Sequence, residues 1–131
     1  MNALPFILSL FLIFMPLMDK EDLNESIDPV ILAIDSGSSS ELARYFENSI
    51  SLNINGQQGD FSKNQAEQVI RDFFKKNPPL RFQLVYRSET NPKLSSYIGE
   101  YQSGQASYRV FIKINQLDTD LKIYSLGFVK A

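Results

Sequence analysis

Residues 62–88 read SKNQAEQVIRDFFKKNPPLRFQLVYRS, and this stretch decides the fold. Ser62 followed by Gln65 is the start of a capping box, and the prolines at 78–79 end the helix that it opens. Between them, apolar residues recur every three or four positions and share one side of a helix: Ala66, Val69, Ile70, Phe73 and Phe74. The rest of the chain must therefore cover an apolar helix stripe.

The residues after the prolines alternate between apolar and polar side chains, which predicts a strand with Phe82, Leu84 and Tyr86 on one face. Two further strands meet at Ser103-Gly104, where a two-residue turn would place Gln102 opposite Gln105. In that register one face collects six large residues: Tyr97, Tyr101, Tyr108, Val110, Ile112 and Ile114. A turn at Asp118-Thr119 then places Ile114 opposite Ile123 and Ile112 opposite Ser125 in the last strand.

The residues before this stretch predict two short helices and another strand. Residues 26–36 have a helical apolar period that ends at Gly37, and Ser38 with Glu41 opens a second helix. Residues 50–54 alternate as a strand that stops at Asn55-Gly56, followed by a loop through Gly59. The prediction is an α+β roll, with N-terminal helices and one long helix packed on a curved antiparallel sheet.

An uncharged apolar run at residues 4–18 precedes a cluster of charges at 19–22. The run is shorter than the roughly 20 residues that a membrane-spanning helix needs, and it matches the apolar region of a signal peptide. We divide the chain into an apolar leader or signal peptide (1–18), a linker (19–25) and a single α+β roll domain (26–131). We expect export to a periplasmic or secreted location. The leader is either cleaved or kept as an anchor, and it is the only expected contact with a membrane.

Composition argues against several functions. The 13 basic and 15 acidic residues give a net charge of −2, which does not suit nucleic-acid binding. The chain has no histidine and no cysteine, so imidazole bases, thiolate nucleophiles and the usual zinc ligands are excluded. Asp118 and Asp120 flank a predicted turn, where aspartate serves local hydrogen bonds rather than a metal. We therefore predict no catalytic residues, no metal and no cofactor, and the sequence argues against an enzyme.

The second face of the predicted sheet is unusually apolar for a surface. We predict that it carries an interface for a homodimer, formed by Ile98, Arg109, Phe111, Tyr124, Leu126 and Phe128. The alternative is that the sheet curls and the N-terminal helix covers this face. Arg109 would be a solvated cross-strand residue or a cation–π partner.

The first face could line a cavity for a small apolar ligand beneath the long helix. The residues concerned are Tyr86, Tyr97, Tyr101, Tyr108 and Phe73. Aromatic residues opposite a helix stripe more often form core, with their hydroxyls at its rim, and we favour that interpretation.

Four stretches resemble one family: residues 27–61, the helix SKNQAEQVIRDFFKKNP, the strands YIGEYQSGQASYRVFIKI and the ending LKIYSLGFVK. They are similar to exported bacterial proteins of domain of unknown function 4783, in the nuclear-transport-factor-two-like, or cystatin-like, superfamily. The elements that carry the resemblance are Gly37, Gln65-Ala66, Phe73-Phe74 and Tyr97-Ile98-Gly99. The resemblance implies the roll fold, export and an uncharacterised role, and it supplies no functional residues.

We expect from these features an uncharacterised, exported, non-catalytic binding or assembly module that self-associates through its sheet. The alternative is a small-ligand carrier or enzyme that uses the tyrosine-lined cavity.

Overall fold

The computed structural model describes residues 26–91, 93–117 and 120–131. The predicted leader, the linker and the Asp118-Thr119 turn lie outside these residues. The elements, in chain order, are α1 (Asp28–Asp35), α2 (Ser39–Ala43), β1 (Phe46–Ile54), β2 (Gln57–Ser62), α3 (Lys63–Lys76), β3 (Pro79–Asn91), β4 (Leu94–Ser103), β5 (Ser107–Leu117) and β6 (Asp120–Lys130). The predicted α+β class is confirmed.

The six strands form one curved sheet in the order β2-β1-β6-β5-β4-β3. All neighbouring strands are antiparallel except β1 and β6, which are parallel. The last strand therefore lies inside the sheet, between the first strand and β5. The helices pack on one face, which we call the inner face, and the opposite face is the outer face.

The long helix forms as predicted. Ser62 and Gln65 make both hydrogen bonds of the capping box, and the helix ends at Lys76. Its buried residues are Ala66, Ile70, Phe73 and Phe74, while Val69 is partly buried. The first helix also ends where expected, with Gly37 at φ 69°.

The predicted loop after Asn55-Gly56 is wrong, because residues 57–62 form strand β2. Asn55 and Gly56 have φ values of 53° and 91°, so they make a two-residue hairpin turn that pairs Ile54 with Gln57. The Asn53 side chain accepts a hydrogen bond from the Gly56 N–H at 2.8 Å. The sequence did not predict β2 because this strand contains two glutamines, a glycine and an aspartate instead of alternating apolar residues.

The predicted Ser103-Gly104 turn is wrong by one residue, and the strand register is wrong by two. Ser103 donates its N–H to the Ala106 carbonyl at 2.9 Å, so residues 104–105 form the turn. The structure pairs Gln102 with Ser107 and Tyr101 with Tyr108. A primed hairpin turn at Ser103-Gly104 needs positive φ at one or both of these residues, and neither has it. Because a shift of two residues keeps every side chain on its face, the six predicted inner residues are all buried as expected.

The predicted outward position of Leu126 and Phe128 is wrong. Ile114 lies opposite Ile123 as expected, but Ile112 lies opposite Leu126 instead of Ser125. A β-bulge adds one residue of β6 between these pairs, and from there on the side chains of β6 change faces. Leu126 and Phe128 are therefore buried in the core.

The predicted inward position of Tyr86 is wrong for the same kind of reason. Leu84 pairs with Gly99 and Tyr86 pairs with Ile98, so β3 also contains a bulge. Phe82 stays in the core, whereas Tyr86 turns to the outer face and is 52% exposed. Tyr86 cannot line a cavity beneath the helix.

Candidate functional site

The predicted cavity residues, apart from Tyr86, belong to the core. Phe73 of α3 contacts Tyr108 and Phe128, with ring centroids 5.0 and 4.5 Å apart. The Tyr101 ring stacks on Phe74 at 6.1 Å and is fully buried. These rings fill the space between the sheet and the long helix, in agreement with the core interpretation.

Asn77 joins this core to the end of α3, a role that sequence reasoning missed. Tyr101 donates its hydroxyl proton to the backbone carbonyl of Asn77, and Tyr108 donates to Oδ1 of the same residue at 2.9 Å. Asn77 also donates from its backbone N–H and from Nδ2 to the carbonyl oxygen of Phe73, at 2.8 and 3.2 Å. The position of Asn77, directly after the helix and before two prolines, could have indicated a role at the helix end. Nothing in the sequence indicated its tyrosine partners.

Tyr97 lies on the inner face beyond the aromatic core. Its hydroxyl donates to Oε2 of Glu89 at 2.6 Å, and the Arg87 guanidinium lies 5.9 Å from the centre of its ring. Burial, followed by the hydrogen bond to Glu89, raises the pKa of Tyr97 to about 12. Burial, followed by the nearby Tyr108, also raises the pKa of Tyr101. Both tyrosines are therefore neutral hydrogen-bond donors at neutral pH.

A groove of about 600 Å³ opens between α3 and the β1–β2 hairpin, on the inner face. Its apolar lining consists of Leu52, Ile54, Phe61, Val69 and Phe73, all buried or partly buried. Its polar lining consists of Asn55, Gln57, Gln58, Asp72, Lys76 and Asn77, and all but the half-buried Asn77 are exposed. The groove is thus apolar in its depth and polar at its mouth, and Phe73 is the only predicted cavity residue among those that line it.

The outer face carries a row of apolar side chains in register across three strands. Tyr86 lies opposite Ile98, and Ile98 lies opposite Phe111, which is 39% exposed. The Phe111 ring extends over Gly127, whose missing side chain leaves room for it. Leu94 is exposed on the same face of β4. We call these four residues, Tyr86, Leu94, Ile98 and Phe111, the outer patch.

Charged residues flank the outer patch. Glu100 and Arg109 lie opposite each other on one side of it, and Lys113 lies on the other side. Arg109 is exposed and makes no cation–π contact within the described part of the chain, so it is the solvated cross-strand residue of our two alternatives. Tyr124, the extra residue of the β6 bulge, is half-buried. Of the six predicted interface residues, Ile98, Arg109 and Phe111 therefore lie exposed or partly exposed on the outer face, whereas Leu126 and Phe128 do not.

Within the described residues, no three acidic side chains converge into a group that could hold a metal ion. Asp120 is exposed, and Asp118 lies outside the described residues. None of the described helices combines the length and the apolar character needed to cross a membrane.

Comparison with known proteins identifies both the family and the fold of this chain. The family model "Domain of unknown function (DUF4783)" matches residues 27–128. A DUF4783 family protein from Bacteroides ovatus is 24% identical, covers 79% of this chain and 93% of its own, and superposes with a TM-score of 0.74. A DUF4783 family protein from Bacteroides uniformis is 20% identical, with 82% and 98% covered and a TM-score of 0.77. No curated protein has a matching sequence.

The same architecture extends beyond this family. An NTF2-like protein of unknown function from Shewanella baltica is 8% identical, covers 80% of this chain and 87% of its own, and has a TM-score of 0.62. At such identities the likeness shows the fold alone, and it confirms the predicted nuclear-transport-factor-two-like roll. Because the family model matches nearly the whole domain, from the first helix to the last strand, the chain belongs to the DUF4783 family, a domain of unknown function.

Proposed function

We propose that this domain is a non-catalytic assembly module that pairs with a second copy of itself through the outer patch. The observation that carries the proposal is the alignment of Tyr86, Ile98 and Phe111, which stand directly opposite one another on three neighbouring strands. Contiguous apolar side chains on the face away from the helices are typical of a surface that meets a partner.

The charges around the outer patch suit a two-fold arrangement of two copies. Glu100 on β4 is acidic, whereas Arg109 and Lys113 on β5 are basic, so a two-fold axis through the patch can bring acidic β4 of one copy to basic β5 of the other. At about 25 cal/mol per Å² of apolar surface, burying the four patch residues on both copies contributes several kcal/mol. A specific interface needs about 800 Å² from each partner, so the flanking polar residues of β4 and β5 would also be covered.

The first test is the replacement Phe111→Glu. The exposed position and the neighbouring Arg109 and Lys113 allow the variant to fold, but a charge in the centre of the patch opposes its burial. We expect the purified protein to be a dimer by light scattering coupled to size exclusion, and the variant to dimerise at least tenfold more weakly.

Leu32→Glu is the matched control, because Leu32 is an exposed leucine on helix α1 and not on the outer face of the sheet. This variant should keep the dimer. A monomeric wild-type protein at high micromolar concentration, or a Phe111→Glu variant that dimerises as well as wild type, would contradict the proposal.

We also propose that the chain is exported, on the basis of the apolar run at residues 4–18. Expressed in a Bacteroides host, the full chain should leave the cytoplasm, as followed by cell fractionation. Replacing Leu10 in the middle of the run with arginine should keep the chain in the cytoplasm, since a charge there disfavours insertion of the run into the membrane. Cytoplasmic retention of the unaltered chain would refute export without affecting the assembly proposal.

A further inference from the structure

Two opposite charges of α3 line the groove without pairing with each other. Asp72 and Lys76 are four residues apart, the spacing at which helix charges usually interact. Glu67 and Arg71 have the same spacing five residues earlier in the helix, and they form an ion pair at 3.1 Å. Asp72 and Lys76, in contrast, have no ion-pair or hydrogen-bond partner for their side chains among the described residues. The groove therefore presents one free carboxylate and one free ammonium group.

The rest of the lining separates an apolar depth from a hydrogen-bonding mouth. Phe61 from β2 and Val69 from α3 are partly buried in the apolar lining, and Leu52 from β1 is buried. The side chains of Gln57 and Gln58 are exposed at the mouth and can both donate and accept hydrogen bonds. A volume of about 600 Å³ lies within the range of small-molecule sites.

We propose that this groove binds a short apolar peptide of about two residues with free termini. Its ammonium group would meet Asp72, its carboxylate would meet Lys76, and its side chains would pack on Phe61 and Val69. The lengths agree, because four helical residues rise about 6 Å and two extended residues span at most about 7 Å.

A ligand with a single charge suits the groove less well. A fatty acid attracted by Lys76 would be repelled by Asp72 one turn away. An apolar amine would be attracted by Asp72 and repelled by Lys76. A ligand that carries both charges gains from both side chains. The groove lies on the inner face, so this site is independent of the assembly proposed for the outer patch.

The test titrates the purified protein with leucyl-phenylalanine and two blocked forms, N-acetyl-leucyl-phenylalanine and leucyl-phenylalaninamide. Binding is followed by calorimetry and by the amide NMR signals of the groove residues. Because both charges are exposed to solvent, each contributes modestly, and we expect the free dipeptide to bind about fivefold more tightly than either blocked form.

Charge-neutral variants assign each end of the ligand. The Asp72→Asn variant should bind the free dipeptide no better than the N-acetyl form, but still better than the amide. The Lys76→Gln variant should bind the free dipeptide no better than the amide, but still better than the N-acetyl form. Lys75→Gln is the matched control, because Lys75 is the neighbouring exposed lysine and does not line the groove. It should retain both preferences.

Three results would overturn this inference: no binding of leucyl-phenylalanine at 10 mM, equal affinity for free and blocked dipeptides, or the same change in Lys75→Gln as in Lys76→Gln. Phe111→Glu should bind the dipeptide like wild type. The failure of one proposal can therefore be told apart from the failure of the other.

Discussion

Replacement of Phe128 by aspartate is expected to abolish the folded state. Phe128 is fully buried, and its ring lies 4.5 Å from that of Phe73 and 5.6 Å from that of Tyr101. Truncating a buried phenylalanine costs about 3 to 5 kcal/mol, and a carboxylate in the same place adds a desolvation penalty. Domains of this size are stable by only about 5 to 15 kcal/mol. Circular dichroism and urea unfolding should show a largely unfolded chain.

The adjacent substitution Val129→Asp is the control for this experiment. Val129 is only partly buried, points to the outer face and lies opposite Arg109, which can accommodate a carboxylate. We expect a loss of about 1 kcal/mol, which is the span of β-propensity. A Phe128→Asp protein that folds normally and changes only its oligomeric state would show that β6 has the unbulged register, with Phe128 outside.

The second large effect concerns Gly99 on β4. Its inner side is covered by the ring of Phe82, and an added methyl group would lie 2.5 Å from Cζ of that ring and 3.0 Å from the carbonyl oxygen of Gln83. Phe82 is buried, so its ring has no free space into which it could move. Gly99→Ala should therefore lower the free energy of unfolding by about 3 kcal/mol.

A double-mutant cycle identifies the ring as the cause. Phe82→Leu removes the atoms that the methyl group would overlap, and Gly99→Ala should then cost at least 1 kcal/mol less in that background. Gly104→Ala is the matched control, since no atom lies within 4 Å of its added methyl group, and it should be neutral or slightly stabilising. An unchanged or raised stability of Gly99→Ala would disprove the close approach of the ring.

The sequence alone was sufficient for features that depend on periodicity. The stripe from Ala66 to Phe74 predicted the long helix and its buried face, and the alternation from Tyr97 to Ile114 predicted the inner face of two strands. The inner face was correct even though the turn between these strands was not, because a shift of two residues leaves the faces unchanged.

The bulges in β3 and β6 could not be read from the sequence in the same way. Each bulge adds one residue to a strand, and everything beyond it changes faces. No glycine or proline marks the bulge between Leu84 and Tyr86, or the one between Ile123 and Ser125. For this reason the prediction wrongly placed Leu126 and Phe128 on the outer face and Tyr86 on the inner face.

The groove was also beyond sequence reasoning. Its lining comes from β1, β2 and α3, and the β2 strand was not predicted. The helical period identified Val69 and Phe73 as apolar but could not show that only Phe73 is fully covered. Asp72 and Lys76 looked like ordinary solvent-facing helix charges, and the structure was needed to show which surface they share.

The position of β6 has a consequence for how the chain reaches this structure. The β1–β2 hairpin and the β3–β4–β5 meander have no strand in common until β6 enters between them. The last strand of the sheet to be synthesised is thus the one that unites the two halves, and these long-range pairings make folding slow. A chain in synthesis cannot complete this sheet before β6 has emerged, so the topology keeps the two halves of the sheet apart until then.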